Sequence, residues 1–184
     1  MLRKLFDWLD ERAVQRHRAV TLEKIAEHGW TATYVFGEGD EEHIDFAYTI
    51  GFSDFDAPEL IVFSLDPVLI NAVFWEFFKA VRSGTALEDG LILRPDDPDM
   101  EGFECTLRSA VNAATWDEYV FDSMSYSMSK GRTDRPPVMQ VVWPSAQNGK
   151  YPWSPDCPAT VIDSQPALYV DPPSHTPSVI GCSD

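Results

Sequence analysis

The residues of this chain best equipped for chemistry gather in one stretch, "HIDFAYTIGFSDFDAPELIVFSLDP" (residues 43–67), where Tyr48, Thr49 and Glu59 bring two hydroxyls and a carboxylate into apolar company. Gly51 stands beside them. A glycine at such a point either lets a strand end bend or lets a ligand approach the main chain. Glu59 has two matching readings. Next to a bend it accepts hydrogen bonds from local backbone amides; in a pocket it contacts a ligand, or acts as a general base if burial raises its pKa. Tyr151 and Trp153, in "GKYPW", bring aromatic surface back late in the chain and complete the candidate binding set, either as a ledge for a ligand or partner or as a lid on the core.

No catalytic constellation accompanies these residues, and no catalytic residue is assigned. His17, His28, His43 and His175 have no partner at metal-ligand spacing, and Cys105, Cys157 and Cys182 form neither a CxxC pair nor a disulfide framework. The alternating serines Ser123, Ser125, Ser127 and Ser129 lack a GxSxG elbow, so a surface helix explains them better than a nucleophile does. No glycine-rich loop offers to hold a phosphate. The expectation is therefore no metal, no cofactor, and binding in preference to catalysis.

Charge narrows the partner. The chain has 184 residues and a formal charge of −16, and all of that excess falls within residues 37–122. Asp40, Glu41 and Glu42 precede His43 at the expected hairpin tip, without the spacing of a calcium loop; Asp96, Asp97 and Asp99 crowd a second loop. Such a field repels nucleic acid and anionic membranes and speeds association with a basic protein, for example a toxin met by its immunity protein. The only basic cluster of the second half, Lys130, Arg132 and Arg135, is too small to reverse this and is expected to pair with the acidic middle.

The elements that must position these groups are legible from periodicity. Helical spacing over residues 10–27 ends at Gly29. "WTATYVF" and "HIDFAYTI" alternate with period two and read as an antiparallel hairpin, and "ELIVFSL" is a continuous apolar run suited to a strand covered on both faces. Asp66 and Pro67 open a broadly apolar helix that Gly84 closes. Short strands at "LILR" and "FECTLRSAV" follow, then a helix from a Thr115/Glu118 capping box to about Ser129, a strand "VMQVVWP", and a turn at Asn148-Gly149.

The resulting order is an α+β domain with a mainly antiparallel sheet backed by helices on one face. It spans residues 1–159, and a Pro/Ser-rich tail over 160–184 is expected to pack weakly and to be dispensable for folding. No run is apolar enough for a membrane helix, the basic N-terminus lacks a signal-peptide pattern, and the sparse cysteines suit a cytoplasmic protein.

Four motifs in this order, "EHGW", "FAYTIGF", "APELIVFSL" and "QVVWPSAQNGKYPW", resemble a bacterial family known as domain of unknown function 4262, over about residues 20–158. The resemblance implies no reaction and supplies no catalytic residue. Two function classes stay open: an acidic protein-binding module that neutralises or escorts a basic partner, and a ligand-binding protein or enzyme with a pocket around Tyr48, Thr49 and Glu59.

Overall fold

The computed structural model describes residues 2–37, 44–111, 115–169 and 179–181, with side chains from residue 14 onward. Asp40, Glu41, Glu42 and His43 lie outside the described residues, as do Pro172, Pro173, His175, Pro177 and Cys182.

Helix α1 (Leu2–His28) runs into a hairpin of β1 (Thr31–Val35) and β2 (Phe46–Ile50). A short 3-10 turn, Phe52–Phe55, leads to β3 (Glu59–Phe63), and α2 (Pro67–Arg82) follows. Then come β4 (Ile92–Leu93), β5 (Cys105–Ser109), α3 (Phe121–Ser129), β6 (Val138–Val142), the single-turn α4 (Ala159–Asp163) and β7 (Val179–Ile180). The seven strands form one sheet in the order β1-β2-β3-β6-β5-β4-β7, antiparallel except where β3 meets β6 and β4 meets β7. This is an α+β fold with a mainly antiparallel sheet.

The helices cover both faces of that sheet, not one. On β3, Leu60 and Val62 point into the cluster beneath α2, with Val73, Phe74, Phe77 and Trp30. Ile61 and Phe63 point the other way, into a second cluster with Tyr48, Ile50, Tyr126 of α3 and Ile25 of α1. A central strand that is apolar at every position must be buried twice, so the unbroken run "ELIVF" required helices on both sides. Helix α3 is accordingly no surface helix, since Ser123, Tyr126 and Ser127 are all buried.

Local start and stop signals operate as their chemistry dictates. Asp66 caps α2 by accepting from the Val68 amide at 2.8 Å with Pro67 in the first turn, and Gly84 follows the helix in a left-handed conformation. Gly29 ends α1 with φ +87°, its amide donating to the Ile25 carbonyl at 2.8 Å. Among the side chains of α1 that are described, Ile25 near its end is buried in the core, whereas Val14, Val20 and Leu22 are exposed.

Two sequence expectations are corrected. The Thr115/Glu118 capping box does not form; residues Thr115–Tyr119 wind into a wide π turn, the Thr115 hydroxyl is buried without a partner among the described residues, and α3 begins only at Phe121. Trp116 fixes this turn by donating from its indole to the Pro136 carbonyl at 2.8 Å. The weakly packed tail also fails for its described part. Leu168 and Tyr169 are buried, the Leu168 amide donates to the Gln140 side chain at 2.9 Å, and its carbonyl accepts from Val111 at 2.7 Å. The Gln165 side chain brackets the main chain of Trp143, accepting from its N–H at 3.1 Å and donating to its C=O at 3.0 Å, and β7 adds to the sheet beside β4. The cause is polar residues on the second face of β5 and β6: Arg108 and Gln140 are cross-strand partners there, and the returning chain buries them, giving the Gln140 side-chain carbonyl oxygen the Leu168 amide and the Arg108 guanidinium the Tyr169 ring.

Candidate functional site

The bend after β2 is built around Glu59. Gly51 enters it with φ +110°, and a side chain at that position would lie 2.9 Å from the Gly29 carbonyl oxygen. The chain then turns back through Phe52–Phe55 and leaves its first amides without helical partners. Glu59, wholly buried, supplies them: its Oε1 accepts from the Gly51 and Ser53 amides at 3.0 and 3.1 Å, and its Oε2 from the Phe52 amide at 3.3 Å. The Thr49 hydroxyl donates to Oε2 at 2.7 Å while accepting from the Leu60 amide at 2.8 Å. Burial pushes the Glu59 carboxyl above the usual carboxylate range, and the Thr49 hydroxyl and the Ser53 and Gly51 amides partly offset that push. Thr49, Gly51 and Glu59 thus meet in one hydrogen-bonded unit whose partners are all internal.

Tyr48 belongs to a different cluster. Its side chain points to the opposite face of the sheet, where its hydroxyl donates to Asp122 Oδ2 at 3.1 Å. Asp122, in the first turn of α3, also accepts from the Thr33 hydroxyl at 3.1 Å and lies 3.2 Å from His17 Nε2 on α1. Burial and the Asp122 charge raise the Tyr48 pKa far above that of a free phenol, so the hydroxyl stays protonated as a donor. Helix α1, β1, β2 and α3 therefore converge on one carboxylate that sequence reading did not single out. An aspartate in the first turn of a helix carries no local sign of what it will meet, and its partner Tyr48 is 74 residues away.

Tyr151 and Trp153 stack with ring centroids 4.8 Å apart. The Tyr151 hydroxyl donates to Glu104 Oε1 at 2.7 Å, and Arg94 pairs with the other oxygen of the same carboxylate. Behind them, the Arg108 guanidinium lies 4.9 Å from the Trp153 ring and 4.8 Å from the Tyr169 ring, with Nε 3.3 Å from Asp89. Only 2 % of Arg108 is exposed. A buried cation needs a carboxylate and polarisable faces together, and this enclosure provides both. The pair Tyr151/Trp153 is separate from the Glu59 turn; it closes the fold over Arg108 and ties it to the returning C-terminal segment.

The basic cluster pairs with the acidic middle. Arg132 binds Asp54 at 2.7 Å and Ser53 Oγ at 3.1 Å, Arg135 binds Asp117 at 3.0 Å, and Lys130 lies 3.6 Å from Asp54. Asp96, Asp97 and Asp99 stand exposed on the loop between β4 and β5, where Asp97 Oδ1 also accepts the Asp99 amide at 2.9 Å. Among the described residues no group of His, Cys, Asp and Glu is arranged to hold a metal ion, and no helix is long and apolar enough to cross a membrane.

Comparison with curated proteins finds no match, and comparison with solved structures finds none either. A family model does match, over residues 24–158, and its span takes in the Gly29 helix stop, the Glu59-clamped bend, the β3–β6 pair and the Tyr151/Trp153 stack. The chain belongs to the family described as domain of unknown function DUF4262.

Proposed function

We propose that this chain is a protein-binding module that engages a basic partner through its acidic surface, in the manner of an immunity protein that neutralises a toxin. The observation that carries the reading is the β4–β5 loop, where Asp96, Asp97, Asp99 and Glu101 are all exposed within six residues. Their charge projects into solvent from one edge region of the sheet, where it steers an oppositely charged protein and is sensitive to salt. The buried ionisable groups of the interior support the same reading, because Glu59 and Arg108 are engaged in holding the fold together. Cys105 and Cys157 are free thiols, which suits a bacterial cytoplasmic setting for the encounter.

The test is association kinetics between the purified chain and a basic protein that copurifies with it from its host, measured from low to high salt. The reading expects the on-rate to fall steeply with salt, since screening sets in beyond about 8 Å at physiological ionic strength. It also expects the quadruple variant Asp96→Asn, Asp97→Asn, Asp99→Asn, Glu101→Gln to slow association while leaving thermal stability close to wild type. Neutralisation of the partner's activity at equal stoichiometry supports the immunity-like form. Association indifferent to both salt and the variant overturns the reading.

A further inference from the structure

The sheet ends on one side at β1, and no strand among the described residues pairs with its outer edge. Its register with β2 is regular from Thr31↔Ile50 to Val35↔Phe46, so no bulge turns the edge aside. Alternate main-chain N–H and C=O groups of β1 therefore point away from β2, and none of them bonds to another described segment. Charged side chains, prolines, bulges and brevity are what keep an edge strand from pairing with another chain. The opposite edge, β7, has only two residues, but "WTATYVF" (residues 30–36) contains neither a charge nor a proline.

The side chains of this edge sort onto two faces. Ala32 and Tyr34 pack against the cluster beneath α2, whereas Thr33 donates to Asp122 on the α3 side. Phe36 stacks on Tyr34 with ring centroids 6.5 Å apart and is 62 % exposed, and Val35 is 37 % exposed. Two large apolar side chains thus stand in solvent at the open end of the strand. A second β1 laid antiparallel about a two-fold axis at Thr33 places Thr31 opposite Val35, Ala32 opposite Tyr34 and Trp30 opposite Phe36. These pairs set β-branched against β-branched, small against large and aromatic against aromatic, each on the face it already occupies. The strand is complementary to itself.

We propose that this edge is a self-association surface, on which a second copy of the chain pairs β1 with β1 and continues the sheet across a two-fold axis. Charge selects a second copy over the basic partner of the acidic loop. The edge offers no carboxylate to a basic segment, and in a chain of net charge −16 it is a strip along which two copies meet without opposing carboxylates. In the sheet order β1 lies at the far end from β4 and β7, so the dimer leaves both acidic β4–β5 loops open. Short strands with flanking aromatics make a modest contact, and the two net charges repel, so dimerisation depends on concentration and is strengthened by salt. That salt dependence is opposite in sign to the one expected for the basic partner.

The test is sedimentation equilibrium of the full chain from about 1 µM to 1 mM at low and high salt, with hydrogen exchange followed at both ends of that range. A monomer–dimer equilibrium tightened by salt is expected, in which the amides of residues 31–36 gain protection as concentration rises and those of Val179 and Ile180 do not. Val35→Lys and Phe36→Lys put a charge on exposed positions of the edge, and each is expected to weaken the dimer by about tenfold or more while the dilute monomer melts close to wild type. Val68→Lys, at a more exposed apolar position on α2, is expected to leave the dimer unchanged. A monomer over the whole range, a dimer indifferent to both edge lysines or equally weakened by Val68→Lys, or protection gained elsewhere than β1 overturns the proposal.

Discussion

Thr49 and Glu59 hold one another across the β2–β3 connection: the threonine hydroxyl donates to the carboxylate at 2.7 Å and in the same geometry accepts from the amide of Leu60, the residue after Glu59. One side chain from each strand thereby fixes the register at the sheet end and the shape of the bend between them. The same bend, through Ser53, Asp56, Ala57 and Pro58, lines one side of a cleft whose other side carries Arg132 and Arg135.

Glu59→Gln is expected to destabilise the protein by roughly 1.5 to 3 kcal/mol, the scale of hydrogen bonds to a charged group. All four of its partners are donors, and a glutamine replaces one acceptor oxygen with a donating NH2 group. Chemical denaturation at neutral pH measures the loss. Unchanged stability would show that the carboxylate is not what clamps the bend.

Gly51→Val is expected to cost more than about 1 kcal/mol, because φ +110° penalises any side chain and a β-branched one most. The backbone near it cannot yield easily: the Gly29 carbonyl oxygen and Trp30 Cα lie 2.9 and 3.2 Å from where its Cβ would be. Thermal melts of Gly51→Ala and Gly51→Val check this, both falling below wild type.

Truncation after Pro158 is expected to lower stability by about 3 to 6 kcal/mol, the scale of exposing two large side chains such as Leu168 and Tyr169. It also removes the Gln165 bonds to Trp143 and one of the two rings that enclose Arg108. A fragment that melts as cooperatively and as high as the full chain would refute the docking of this segment.

Arg108→Met should act on the same region from the other side. Removing one partner of a buried ion pair costs about 3 to 5 kcal/mol, here reduced to the extent that Asp89, 22 % exposed, recovers hydration. Limited proteolysis should show earlier cleavage beyond Pro158 in this variant than in wild type. Wild-type protection would mean that the aromatic enclosure does not depend on the cation.

Asp54 provides a pH test. Burial pushes its carboxyl up, but bonds from Tyr126 and Arg132 and the charges of Lys130 and Arg132 outweigh this and hold it below the usual aspartate value. A depressed folded-state pKa contributes stability above the unfolded value, about 3.9, and that contribution disappears as pH falls through the folded value. Asp54→Asn should therefore be less stable than wild type at neutral pH, with the gap narrowing below about pH 4. A gap that is constant with pH would show that the ionised carboxylate contributes nothing there.

Whatever depends on neighbours along the chain is legible without the fold. Helix stops at Gly29 and Gly84, the Asp66-Pro67 start, the period-two hairpin and the doubly buried β3 all follow from local sterics, capping and alternation. The Glu59 clamp was also within reach, since its partners lie only six to ten residues away. Contacts between distant segments set the rest. Tyr48 and Asp122 are 74 residues apart, Asp54 and Arg132 are 78 apart, and the strand order that brings them together is not encoded in any single segment. The tail shows why composition misleads: prolines signal a chain that cannot form long helices or strands, whereas docking is set by whether buried polar groups elsewhere need covering. Arg108 and Gln140 did, and a strand's alternation reveals which face a residue takes but not what will arrive to cover it.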